Sequence, residues 1–433
     1  MTARGVLVAV TDHAADRFRQ RVRGTLDPKL EIAGRVARGH AAGRVSPGER
    51  GAVLVRDPDN RELVYVCRPD ADELVVITVW EEGENPAVPR RFTDALQPRR
   101  RRTGERFDDR SGLVSVRMNE MNTRPLGDSG IQVSVVGLGC NNFGRRVDLA
   151  GTRAVIDAAV GDGVTFLDTA DIYGPSGASE ELMGEALNGR RDQVVLATKF
   201  GKDMGDGNTL PRGSREYIHR AAEASLRRLR TDVIDYYWMH EPDEATPIAE
   251  TLGALQELID AGKVRAIGAS NFDGAQLREA DSAARADGLT RVSAVQNHYR
   301  LLERADAERD GLPACRDLGI GFVPFFPLAS GLLTGKYRPG EDAPAGTRLA
   351  GRGEPATEAQ FALIGALERF AQERGITILD VAIGALLAEE PVVSVIAGAT
   401  RPEQVHANAG AGDWIPGESD HAALRELLTS HPG

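Results

Sequence analysis

From residue 118 to the end, the chain repeats one pattern eight times: a short continuous apolar run, then a segment with helical periodicity. The runs read "VSVVGLGC", "VTFLDTAD", "QVVLATKF", "VIDYYWMHE", "VRAIGASNF", "VSAVQNHYRLL", "IGFVPFFPLASG" and "VVSVIAGAT". Runs this short, without alternation, are what a strand buried on both faces of a parallel sheet requires. Several of the intervening helical segments stop at a glycine just before the next strand: Gly163, Gly262, Gly288 and Gly319. That is the usual left-handed helix stop.

Eight strand–helix units in about 300 residues match a TIM barrel in number and size. The competitor, a doubly wound open sheet, normally shows a Gly-rich fingerprint after its first strand. Here "GLGCNNFG" has Asn142 where the third glycine would stand. The expected fold class is therefore α/β, a (β/α)8 TIM barrel over 118–433. An N-terminal small α+β domain over 1–84 and a basic, Pro-containing linker over 85–117 precede it.

Charge supports the division. Residues 1–117 carry 22 Lys and Arg against 18 Asp and Glu, and the remainder carries 31 against 46. The acidic bulk argues against nucleic acid as the barrel's partner. No apolar run approaches the ~20 residues that cross a bilayer, and the N-terminus does not read as a secretory signal. Cys67, Cys140 and Cys315 lie far apart with no CxxC pair. That spacing gives no disulfide framework and no metal site, and fits a reducing cytoplasm.

In a TIM barrel the reactive groups sit at the carboxyl ends of the strands. Those ends carry Asp168 and, just beyond it, Tyr173; then Lys199, His240, Ser270 with Asn271, and Gln296 with Asn297. Each strand end supplies the first polar residue after an apolar run, so the set converges on one mouth. Asp171, in the same "FLDTADIYG" stretch, reads as a solvated loop carboxylate.

These residues resemble the aldo-keto reductase family over 122–410. "FLDTADIYG", "ATKFG", "MHEPD", "IGASNF", "QNHYRLL" and "PLASGLLTGKY" stand in that family's order and spacing. "NTRPLGDSGIQV" at 122–133 is similar to the hairpin that plugs the amino-terminal end of such barrels. The resemblance implies an NADPH-dependent reduction of aldehydes and ketones with a catalytic tetrad of Asp168, Tyr173, Lys199 and His240. The chemistry suits the residue types. Hydride transfer to a carbonyl leaves charge on oxygen that must be stabilised and protonated. Tyr173 would be the proton donor. A phenol's ordinary pKa of about 10 is high for that task, and the Lys199 ammonium would lower it. Asp168 would hold Lys199, and His240 would orient the carbonyl.

The resemblance also implies the cofactor's path. Ser270, Asn271 and Gln296 would meet the nicotinamide carboxamide, with Phe326 near the ring. Pro327, Leu328, Ser330, Lys336 and Arg348 would lie by the pyrophosphate, together with the start of the helix opening at Pro402. Gly398, Thr400, Arg401, Gln404 and Asn408 would hold the adenosine, and Arg401 would favour a 2′-phosphate, hence NADPH over NADH. The chain departs from the family pattern at Ala397 and Ala407. Substrate choice would lie in "NNFGRRVD", in the Gly-rich stretch 201–213, and in the tail from Asp413.

Two further readings stand beside the reductase. One is an NADPH-binding regulatory or sensor subunit with slow turnover. The other places a biological role in residues 1–84, which faintly resemble toxin-like ribonuclease folds. There His13, Arg17 and Arg21 recur at helical spacing, either as a phosphate- or RNA-contacting face or as a solvated basic helix. The "RRRR" run at 99–102 admits the same pair of readings. Oligomeric state is not encoded in any pattern found.

Overall fold

The computed structural model describes residues 7–21, 28–41, 44–47, 52–57, 63–70, 73–81, 114–117, 121–350 and 356–431. They fall into two compact units, Met1–Glu120 and Met121–Gly433.

Among the described residues the first unit has a six-stranded sheet and two helices. Strand β1 (Leu7–Val10) leads into α1 (Asp12–Arg21) and α2 (Pro28–Ala41). Then follow β2 (Val45–Pro47), β3 (Val53–Arg56), β4 (Leu63–Asp70), β5 (Glu73–Glu81) and β6 (Val114–Arg117). The sheet order is β2-β3-β4-β5-β1-β6, with β1 parallel to β5 and the other pairs antiparallel. The expected meander is β3–β5. The expected linker differs at its end: Val114–Arg117 pair with β1, while 85–113 lie outside the described residues. Helix α1 buries Ala14 and Phe18 against Ile32, Tyr65 and Val76. The side chains of His13 and Arg21 lie outside the described residues. Asp57 is fully buried and is held by Arg35 at 3.1 Å and by the Tyr65 hydroxyl.

The second unit opens with a hairpin, β7 (Thr123–Pro125) and β8 (Gln132–Ser134). Eight parallel strands then close a barrel: β9 (Val136–Gly139), β10 (Phe166–Asp168), β11 (Val195–Phe200), β12 (Ile234–Met239), β13 (Val264–Ser270), β14 (Ala294–His298), β15 (Gly321–Phe325) and β16 (Val395–Gly398). β16 pairs back onto β9, Val395 with Val136 through Gly398 with Gly139, which leaves the barrel without an edge. The hairpin drives Leu126, Ile131 and Val133 into the lumen against Phe166, Tyr236 and Trp238. Its turn depends on Gly127, whose φ is +57° and whose absent Cβ would lie 1.9 Å from the Ser293 carbonyl oxygen.

Helices α3 (Leu149–Gly161), α4 (Ala178–Ala186), α5 (Arg215–Leu229), α6 (Ile248–Asp260), α7 (Gly274–Asp287), α8 (Leu312–Leu318), α9 (Glu358–Glu373) and α11 (Pro402–Ala411) follow the strands as the sequence pattern requires. Two more helices do not follow that pattern. α10 (Ile378–Leu387) lies between α9 and β16, and α12 (Glu418–Ser430) lies in the tail. No described helix is long and apolar enough to cross a membrane.

Candidate active site

Strand pleating places the site. Successive side chains on a strand alternate between lumen and helix layer. On β11, Val195 and Ala197 face the lumen while Leu196 and Phe200 pack with the helices, so Lys199 faces the lumen. The same count from Phe166 places Asp168, from Trp238 places His240, from Ala294 places Gln296, and from Ile396 places Gly398. Each polar group is the next inward position after an apolar plug residue.

The Lys199 ammonium is fully buried. It donates to Asp168 Oδ2 at 2.5 Å and to the Thr169 carbonyl at 2.8 Å, and lies 5.0 Å from the centre of the Tyr173 ring. Tyr173 meets His240 edge to face, ring centres 5.8 Å apart. The other Asp168 oxygen, Oδ1, accepts from Gln296 Nε2 at 3.1 Å. Asn271, held at φ +60°, donates to the His240 carbonyl at 2.8 Å and to Ser270 Oγ at 3.2 Å.

Charge states follow from burial and neighbours. Burial pulls the Lys199 ammonium down, but Asp168 and Tyr173 outweigh it and hold the ammonium above its usual range. Burial pushes the Tyr173 phenol up; Lys199 pulls it down and Asp168 opposes that pull. The expected lowering by Lys199 is present but smaller than the effect of burial, so the phenol stands above its ordinary value. Burial, then Lys199 and Lys202, push His240 down to about 2, so its imidazole is neutral. Its Nδ1 has no hydrogen-bond partner among the described residues.

A cavity of about 1120 Å³ opens at the carboxyl ends of the strands. Asp168, Tyr173 and His240 line it, with Lys199 buried behind them. Ser270, Asn271, Gln296, Phe326, Pro327, Leu328, Ser330, Lys336, Arg348, Gly398, Thr400, Arg401, Gln404 and Asn408 all line the same space. The Arg348 guanidinium lies 5.0 Å over the Phe326 ring. Cations gather along one part of the cavity. Burial, then Arg401 and Arg146, hold the Lys336 ammonium below its usual range. Arg401 also sits 3.5 Å from Glu403.

The sequence reading missed several participants. Arg146 lines the cavity and donates to the Gly346 carbonyl at 2.8 Å, joining the loop after β9 to the loop after β15. Its only signal was the paired arginine in "NNFGRRVD". Lys202 lines the cavity beside His240 and pairs with Glu241 at 2.9 Å. Three expectations change. The tail from Asp413 does not line the cavity; Leu424 and Leu428 of α12 join the core, and Trp414 packs on Phe370. Most of the stretch 201–213 also lies away from it, and Gly201, Arg212 and Gly213 border a separate cavity of about 430 Å³. Asp171 is 3% exposed rather than solvated.

A closed barrel of eight parallel strands, with its polar groups gathered at one mouth beside a long cavity, defines a (β/α)8 enzyme. The chain belongs to the aldo/keto reductase family, whose sequence profile matches residues 135–428. It is 38% identical over 321 residues to an uncharacterized oxidoreductase, YrpG, of Bacillus subtilis (strain 168), covering 71% of this chain and 95% of that protein. It is 34% identical over 307 residues to a probable voltage-gated potassium channel subunit beta of Arabidopsis thaliana, covering 68% and 92% respectively. The protein is an oxidoreductase, of a family that works with a nicotinamide cofactor, NAD(P)H.

Proposed function

We propose that the protein reduces small aldehydes and ketones to alcohols, with NADPH as hydride donor. What supports the reading is the Lys199 ammonium, fixed between the Asp168 carboxylate and the Tyr173 ring at one end of the cavity. Three cations, Arg146, Lys336 and Arg401, border the other end. A space of about 1120 Å³ bordered by both the tetrad and a cluster of cations fits a phosphorylated dinucleotide.

NADPH, when bound, supplies the hydride. Tyr173 gives a proton to the carbonyl oxygen as negative charge builds there. Lys199 stabilises the phenolate left behind, and Asp168 keeps that ammonium charged and in place. Neutral His240 offers a ring nitrogen to orient the carbonyl and adds no competing charge. Gln296 and Asn271, tied to Asp168 and to the His240 backbone, would hold the nicotinamide beside the tetrad. Arg146, Lys336 and Arg401 would hold phosphate, and their cluster would favour the 2′-phosphorylated cofactor.

A second reading, an NADPH-binding regulatory subunit, draws on the likeness to the potassium channel subunit beta. Turnover separates the two. A carbonyl panel with NADPH should give steady oxidation for an enzyme. Tight binding with negligible rate would favour the regulatory subunit.

A further inference from the structure

Behind the tetrad, between the strands and helices α4 and α5, lies a second buried polar group. Glu180 of α4 is fully buried, and both its oxygens are used. Thr198 Oγ1 donates to Oε1 at 2.5 Å, and Arg228 of α5 donates to Oε2 at 2.7 Å. Asp171 lies in the same layer. Its backbone N–H donates to the Lys199 carbonyl at 3.1 Å, and Tyr173 closes the turn by donating its N–H to the Ala170 carbonyl at 3.1 Å. The carboxyl oxygen Oδ1 of Asp171 has no partner among the described residues, and neither has the buried Tyr237 hydroxyl on β12. The charged and titratable groups that act on Asp171 are Glu180 from α4, Arg228 from α5 and Lys199 from β11. Asp171 in turn acts on Tyr217 of α5 and Tyr237 of β12.

Arg228 is hydrogen-bonded to Glu180, and neither it nor Lys199 gives Asp171 a hydrogen bond among the described residues. A buried carboxylate left with one backbone donor, the Ile172 N–H, and an unpartnered Oδ1 is costly, and the inexpensive alternative is to keep its proton. We propose that Asp171 is a positioning residue that works as a neutral acid: protonated, it lets the Ala170–Gly174 turn hold Tyr173 against Lys199, and as a carboxylate it leaves its pocket and takes that turn with it. Burial, then Glu180, push this carboxyl up to about 8, in line with that geometry. The consequence is an alkaline limit on turnover set by a group that never touches substrate. The inference rests on the carbonyl-reductase reading for its kinetic part only.

The test uses the full chain and Asp171→Asn, which keeps the shape of the neutral acid. First, kcat/KM for an aldehyde with NADPH is followed across about pH 5–10. The wild type should lose activity through a limb near pH 8. In Asp171→Asn that limb should move up by at least about one pH unit, with activity at neutral pH within about twofold of wild type. An unmoved limb, or a folded variant inactive at neutral pH, overturns the proposal. Second, thermal unfolding is compared over the same range. The folded pKa lies above the unfolded one, so the native state holds an extra proton between them and loses stability as pH rises from about 4 to 8. The gain in Tm of Asp171→Asn over wild type should widen up to about pH 8 and then level off. A constant gap overturns the buried proton. If neither protein reduces any carbonyl, the reductase reading fails, and the unfolding comparison still decides whether Asp171 keeps its proton.

Discussion

Gln296 Nε2 donates to Asp168 Oδ1 over 3.1 Å, across the lumen from β14 to β10. The other oxygen of the same carboxylate holds Lys199. One side chain expected at the cofactor thus also fixes the carboxylate that fixes the ammonium. Replacing Gln296 by Leu leaves Asp168 Oδ1 buried without its donor, at a cost of about 1–3 kcal/mol. We expect weaker cofactor binding together with a lower kcat. Fluorescence titration of NADPH beside steady-state kinetics reads both.

His240 is neutral because burial and two lysines oppose its protonation. Its folded pKa lies below its unfolded value of 6.5. The unfolded chain therefore takes up a proton that the native state refuses, and stability present above about pH 6.5 is lost as pH falls. His240→Gln should remove part of that acid loss. Unfolding by urea at neutral and acid pH checks it: the gap between wild type and variant must narrow as pH falls.

Arg401→Ala and Arg146→Ala should weaken NADPH binding by about tenfold each, a loss of about 1.4 kcal/mol. Arg401→Ala should leave NADH binding nearly unchanged. Paired titrations with the two cofactors test this, since equal losses for both would move Arg401 away from the 2′-phosphate.

Gly127→Ala places a methyl against the Ser293 carbonyl in a left-handed turn. The backbone strain alone is of order 1–3 kcal/mol, and the contact adds to it. Denaturant midpoints should fall, with NADPH affinity of the folded protein preserved, because the hairpin lies at the opposite end of the barrel from the cavity.

The barrel was legible because a strand buried on both faces leaves an unbroken apolar run. Asp168, Lys199 and His240 were legible because each lies at the carboxyl end of such a run, and Tyr173 because "FLDTADIYG" carries the family resemblance. α10 escaped because it is apolar on nearly all sides, with eight of its ten residues buried, so no helical stripe marks it. β6 escaped because Val114–Arg117 gains its partner from a strand about 100 residues earlier in the chain. Asp171 misled for a related reason. Nothing local to "FLDTADIYG" announces that Asp171 is buried within electrostatic reach of Glu180 and Arg228. Arg146 meets Gly346 across 200 positions of sequence, a contact only the closed barrel creates.

The most direct measurement is NADPH oxidation by the wild type and by Tyr173→Phe with one aldehyde substrate, alongside NADPH binding to each. The variant keeps the ring against Lys199 and His240 and loses only the proton. The account predicts a fall in kcat of about 10²–10⁴-fold with cofactor affinity unchanged. Equal rates in the two proteins would contradict it.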